Sequence, residues 1–333
     1  MLIAAQPDSR LLGEAERAGI PALPVRMRGA WDVVATLALR AQIGARDIDV
    51  VHTHSSIDAW VAGLAARSLG RAVVRSRHVS IAIPRRRALV YRLAHRIITS
   101  GEAVARIVAE AGVPRERIAA IGPGIDTARF HPGVSGDGVR AELGLRGPVV
   151  GLVANIRGSK GHRFFLDAAR EVLRRHPDAR FVIVGDGIGF DDVRRRVSEL
   201  GLEAHVIMTG FRRDIPAVMA ALDVLVLPSV KSEAMSQVIP QALAVGTPVV
   251  GTTVGGTPEL VRDGETGRIV PPANAAALAA AIAELLAAPE RARELARRGQ
   301  GEVLAGHSMD VAMTRTVAVY EAARAAAGRS KAS

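Results

Sequence analysis

The chain has no cysteine, which excludes disulfides, thiolate nucleophiles and cysteine metal sites. Aromatic residues are scarce as well: Phe, Trp and Tyr make up 3% of the 333 residues, too few for a base-stacking platform. That scarcity decides how the excess of base is read. Lys and Arg number 44 against 33 Asp and Glu, a net charge of +11 that attracts phosphate of any kind. No helix-turn-helix or zinc-finger spacing accompanies it, so no nucleic acid partner is expected. Anionic lipid or an anionic sugar donor explains the charge as well. No apolar run approaches the roughly 20 residues of a membrane-spanning helix. The start, Met1-Leu2-Ile3-Ala4-Ala5 followed at once by Gln6-Pro7-Asp8-Ser9, lacks the basic region of a secretory leader, and a cytoplasmic protein is expected.

What is present is alternation. Short apolar strands are read around Val50-Val51-His52-Thr53, at Ala72-Val73-Val74, at Arg96-Ile97-Ile98-Thr99 and at Ile118-Ala119-Ala120-Ile121, with a helix over 57–69. Strand–helix alternation implies a parallel, doubly wound sheet. The length suffices for two such domains. The turn formers of His131-Pro132-Gly133-Val134-Ser135-Gly136-Asp137-Gly138 mark the linker, so the expected division is 1–135, then 148–306, then a last helix over 307–327.

The stretch 223–259 is the most informative. Val224-Leu225-Val226-Leu227, between Asp223 and Pro228, is the length of a strand covered on both faces. A helix follows, with Ser232 or Ser236 as its expected cap and Gly246 and Pro248 as its stop. Its N-terminal amides would lie just past the carboxyl end of the strand, where open α/β sheets bind ligands and where unpaired N–H donors suit a diphosphate. Glu233 at that mouth is poorly placed beside phosphate and better suited to accept hydrogen bonds from sugar hydroxyls. The competing reading makes Glu233 and Gln241 ordinary helix-surface residues.

These residues resemble the donor-binding segment of retaining glycosyltransferases of family 4, whose fold is GT-B: two Rossmann-like domains, with a last helix crossing back to the first. The family pattern is a glutamate, seven residues and a second glutamate. Glu233 fills the first place, which implies a hold on the donor sugar, and Gln241 the second, which implies a weaker bond to the ribose. Ala234 and Ser236 stand where the family has glycines. The resemblance extends over nearly the whole chain. Ala154-Asn155-Ile156-Arg157-Gly158-Ser159-Lys160-Gly161-His162 is similar to the family's Arg…Lys-Gly diphosphate clamp, with Asn155 at the usual arginine position and Arg157 two residues on. His78, after a strand, matches the active-site histidine that contacts the donor sugar. Gly185, in Gly185-Asp186-Gly187-Ile188-Gly189, and Phe211, in Thr209-Gly210-Phe211-Arg212, match turns that line the donor cleft and approach the base. Ser236 and Gln237 complete the expected donor-binding set.

The resemblance thus implies transfer of a sugar from a nucleoside-diphosphate sugar to a glycan or lipid-linked acceptor, in polysaccharide, lipopolysaccharide or glycolipid synthesis. His78, Glu233, Lys160 and Arg157 are the expected catalytic residues, with no cofactor. No metal is expected: His52 and His54 flank Thr53 without a third ligand, and Asp47-Ile48-Asp49 precedes a strand rather than ending one. Leu2-Ile3-Ala4-Ala5-Gln6 resembles the family's second strand, so the first strand and its glycine-rich loop are expected upstream of Met1, unless the chain is a truncated, inactive nucleotide-sugar-binding copy. A nucleotide-sugar epimerase of the same fold is the other alternative. Finally, residues 85–96 read as a basic helix, with Arg85, Arg86, Arg87, Arg92 and Arg96 beside a face of Leu89, Val90, Leu93 and Ala94, suited to peripheral contact with an anionic membrane or, on the competing reading, a solvated arginine face packed on its own domain.

Overall fold

Two runs of alternating strand and helix build two compact units in the computed structural model, which describes residues 1–329 without the side chains of Arg85 and Arg329. The first unit comprises Met1–Ser100, Val104–Ile121 and the last helix from Thr314 onward. Its strands are β1 (Ile3–Ala5), β2 (Ala22–Pro24), β3 (Val50–Thr53), β4 (Ala72–Arg77), β5 (Arg96–Thr99) and β6 (Ile118–Ala120). β1 and β2 form a parallel pair, and β3 to β6 form a four-stranded parallel sheet in sequence order. Helix Ser56–Ser68 follows β3 because Ser55 and Asp58 close a capping box, each side chain binding the other's backbone N–H. Val61, Ala65, Val73, Ile97 and Val108 are the core beneath it.

β4 runs three residues past the apolar triplet that marks it in sequence. Arg75, only 5% exposed, lies with its guanidinium 4.2 Å from the Tyr91 ring centroid, and Arg77 Nη1 donates to the Tyr91 hydroxyl at 3.0 Å. That packing also corrects the expected basic helix over 85–96. The segment is a single turn, Arg85–Ala88, then a 3-10 turn, Leu89–Arg92, then β5. Val90, Tyr91 and Ala94 point into the core, so most of the apolar face is spent on the protein's own interior, while Leu89 and the Arg86, Arg87 and Arg92 side chains stay exposed.

The second unit takes over at Gly122, upstream of the turn-rich segment, and runs to Met313 with Gly101–Ala103. It contains β7 (Val149–Val153), β8 (Arg180–Val184), β9 (Val206–Gly210), β10 (Val224–Leu227), β11 (Val249–Thr252) and β12 (Arg268–Val270). All pair in parallel, in the order β12-β11-β10-β7-β8-β9. The strand order reverses between β7 and β10. β7, β8 and β10 are buried over nearly their whole length, as helices on both faces require. Their apolar residues divide between two cores, Phe181 and Ile183 with Phe165 of the helix after β7 on one side, and Leu225 and Leu227 with Ile239 of the helix after β10 on the other.

Candidate functional site

In an open parallel sheet, the loops leaving the carboxyl ends of strands on either side of a reversal diverge and leave a crevice between them. Here those are the loops after β7 and β10, which carry Lys160 and Glu233. Lys160 Nζ and Glu233 Oε2 are 2.5 Å apart, with side chains 12% and 8% exposed. Ser229 Oγ donates to the same carboxylate oxygen at 2.8 Å, and Thr252 Oγ1, at the end of β11, donates to the Ser229 carbonyl at 2.7 Å. The loops are tied at the backbone too, where Val230 N–H donates to the Ser159 carbonyl at 2.9 Å.

Two glycines make this closeness possible. Gly161 has φ +74, and a Cβ there would lie 1.9 Å from the Pro228 carbonyl oxygen. Gly255 has φ +59, and a Cβ there would lie 1.6 Å from the Glu233 carbonyl oxygen, whose partner is the Gly256 N–H at 3.0 Å. Glu233 is therefore held at both ends: its carboxylate by Lys160 and Ser229, its backbone by the loop after β11. Ser229, Thr252 and Gly255 are absent from the sequence reading. Their signal was a polar residue or glycine at a strand's carboxyl end or within three residues of it.

The helix after Glu233 is Val238–Val245, ending at Gly246 with φ +97 as expected. It is not capped by Ser232 or Ser236; Gln237 is its N-cap and makes no side-chain cap bond. Pro240, in its first turn, supplies no N–H, which removes one of the donors expected there. Ser236 is buried in the loop leading in, Gln237 is exposed, and Gln241 is half-buried on the helix.

Because β8 and β9 lie beyond β7 in the same sheet, their loops continue the row. Gly185, at φ +139, sits where a Cβ would meet the Ala154 carbonyl oxygen at 1.9 Å, next to the exposed Asn155, and Phe211 follows β9 with 71% of its surface exposed. Arg157 departs from this group. It lines a cavity of about 450 Å³ with His162, Arg163, Asp192 and Arg195, and no ion pair of its guanidinium is found among the described residues. His162, 4% exposed with neither ring nitrogen partnered, is held down to about pKa 4 by burial and by Lys160. Another cavity of this unit, about 650 Å³, is lined by Pro148, Asp223 and Pro248, which precede β7, β10 and β11. It lies at the amino ends of the strands, away from the Lys160–Glu233 pair, and so is not where this sheet topology puts a ligand.

In the first unit, His78 follows β4 and is exposed, with Nε2 3.1 Å from His54 Nδ1. His52 is held down to about 3, chiefly by burial; His54 and His78, though exposed as residues, are also depressed below the usual imidazole range, chiefly by the partial loss of water around their rings. They are uncharged at neutral pH.

Residues 147–288 match the family described as Glycosyl transferases group 1, and residues 1–129 match Glycosyltransferase Family 4. The 2-deoxystreptamine glucosyltransferase of Streptomyces kanamyceticus is 31% identical over 314 residues, 84% of this chain and 76% of that protein. The GDP-mannose-dependent alpha-(1-6)-phosphatidylinositol monomannoside mannosyltransferase of Mycolicibacterium smegmatis is 35% identical over 188 residues, 54% of this chain and 49% of the relative. The chain spans about half the length of several curated relatives it matches. Among solved structures, HepE of Anabaena in complex with UDP superposes with a TM-score of 0.87 at 23% identity, covering 96% of this chain and 90% of the other. That likeness shows the GT-B fold.

Proposed function

Because the chain belongs to glycosyltransferase family 4, the glycosyl transferases group 1, we propose that it transfers a sugar, with retention of anomeric configuration, from a nucleoside-diphosphate sugar to a glycan or lipid-linked acceptor. The observation that carries the reading is the Lys160–Glu233 pair, buried at the strand-order reversal of the second unit. Lys160 has three N–H donors and spends one on Glu233, leaving the others for the diphosphate. Glu233, its charge balanced by Lys160, presents its other oxygen to sugar hydroxyls. The bond from the anomeric carbon to the phosphate oxygen breaks as the acceptor oxygen bonds the same carbon, and the acceptor's proton passes to the leaving diphosphate. Stabilising the charge that develops on that diphosphate is the main catalytic task, shared by Lys160 and the amides at the start of Val238–Val245. Arg157 joins them only by turning out of its cavity. Gln241 and the turns at Gly185 and Phe211 hold the nucleoside, and His78 is the residue to which the family resemblance assigns contact with the sugar. The names of the relatives above, a 2-deoxystreptamine glucosyltransferase and a GDP-mannose-dependent phosphatidylinositol monomannoside mannosyltransferase, support a hexose donor; the second supports a lipid-linked acceptor, whereas the first names a small aminocyclitol.

The test is turnover of a panel of nucleoside-diphosphate hexoses with and without acceptor, followed by NMR. An acceptor-dependent product with the donor's anomeric configuration is expected. Isomerised free donor without acceptor would make the chain an epimerase, and inverted product would overturn retention. The same assay is expected to be unchanged in chelator, because Lys160 and helix amides supply the positive charge; loss restored by magnesium or manganese would contradict this.

With Val90 and Ala94 buried and Leu89 left exposed, contact with anionic membrane rests mainly on charge. Each exposed arginine contributes about 1 kcal/mol at most near an anionic surface, before salt screening. Co-sedimentation with anionic vesicles is therefore expected at low salt, lost at high salt and reduced when Arg86, Arg87 and Arg92 become glutamine. Equal sedimentation of variant and wild type would leave these arginines as a solvated face.

A further inference from the structure

The first unit contains a row of polar side chains of which the proposed reaction uses only one end. His52, on β3, is bonded at both ring nitrogens: Nδ1 is 2.8 Å from the Tyr320 hydroxyl on the last helix, and Nε2 is 2.8 Å from Ser76 Oγ on β4. With both nitrogens committed, its ring is fixed. The His54 ring lies against it, centroids 4.2 Å apart, and the His54 backbone N–H donates to Asp58 Oδ2 of the capping box at 2.9 Å. His54 in turn meets His78, Nδ1 to Nε2 at 3.1 Å, with the two rings 3° from parallel. His78 itself sits in an exposed loop whose neighbours Val79 and Ile81 are also exposed. Its orientation therefore comes through His54 from β3 and from the following helix, not from its own surroundings.

We propose that His54 is a positioning residue that fixes the ring plane and the tautomer of His78. The proposal rests on the reading of His78 as a contact of the donor sugar. Between two neutral imidazoles one nitrogen donates and the other accepts, so the state of His54 Nδ1 decides whether the remaining nitrogen of His78, Nδ1, carries a hydrogen. A sugar hydroxyl bonded there meets a donor or an acceptor accordingly. The charged and titratable groups facing the pair are Asp58 beside His54 and His52 behind it, with Tyr320 reaching only as far as His52.

The test combines kinetics with nitrogen-15 spectra of the imidazoles in the full chain. Wild-type His78 is expected to show one tautomer, and His54→Ala a mixture. His54→Ala should lower kcat by about 10- to 100-fold, the cost of a small misplacement of a reacting contact, while donor KM moves less than about threefold. His54→Asn, whose amide reaches the place of Nδ1 and can donate or accept there, should restore most of the rate. An unchanged His78 tautomer and unchanged kcat in His54→Ala, with His78→Ala inactive, overturns the positioning role. Full activity in His78→Ala would instead remove the reading on which the proposal rests, and the spectra would still decide whether His54 holds the ring.

Discussion

Lys160→Ala and Glu233→Ala are each expected to lower sugar transfer by at least about 100-fold, the scale of removing one preorganised charge-stabilising group. Each change also strands the partner's charge in a site where the side chains are 12% and 8% exposed. Breaking a buried pair in that way costs roughly 3–5 kcal/mol of stability, more than the pair itself contributes, because the surviving ion has lost its counter-charge. Lost activity could then be mistaken for lost fold. The double variant Lys160→Met with Glu233→Leu separates the two: Tm should recover toward wild type, since no uncompensated charge remains, while transfer stays low. Near-normal turnover in either single variant, or turnover that follows Tm in the double, would remove these residues from the site.

Gly255→Ala is expected to cost about as much activity without touching a charged group. A Cβ at 1.6 Å from the Glu233 carbonyl oxygen cannot be accommodated by a side-chain rotation, because the atom it meets is backbone. The loop carrying Glu233 must shift by more than 1 Å, and misplacements of that size cost on the order of 100-fold in rate. Part of any effect would come from φ +59 itself. Gly264→Ala isolates that part: its φ is +73 and nothing lies within 4 Å of an added Cβ. Steady-state kinetics and thermal unfolding of both should show a modest Tm loss shared by the two and an activity loss confined to Gly255→Ala. Equal kinetics would mean that the loop after β11 does not hold Glu233.

The second unit was legible wherever burial and local conformation agree. Val149 to Val153 and Val224 to Leu227 are unbroken apolar runs because both faces of the sheet are covered, and Gly246 marks its helix end because only glycine adopts φ +97 without strain. The start of that helix was not legible. The loop 228–237 is held by its own Ser229 and by Thr252 and Gly255 at and after the end of the neighbouring β11, so neither Ser232 nor Ser236 has to cap it. In the first unit the misreading has the opposite cause. Arg75 and Arg77 look like the end of a strand and 85–96 looks like a free amphipathic helix, yet Tyr91 stacks under one arginine and accepts from the other, so charge goes inside and the helix is cut to a turn. Of the site, the pairing of Lys160 with Glu233 follows from strand order, a long-range property that spacing within either loop does not encode. Arg157 shows the converse. A residue near the right place in a motif lines a cavity with His162, Arg163 and Asp192, and neither Lys160 nor Glu233 is among the lining residues.

The central claim is that the crevice at Lys160 and Glu233 holds a nucleoside-diphosphate sugar. Calorimetric titration of the purified chain with UDP, GDP and their hexose conjugates tests it directly. At least one nucleoside diphosphate should bind wild type, bind at least about 10-fold more weakly to Lys160→Ala, and retain its affinity in Glu233→Gln. The corresponding sugar conjugate should lose affinity in Glu233→Gln. Binding that is equal in wild type and Lys160→Ala, or no binding of any of these compounds, would contradict the account.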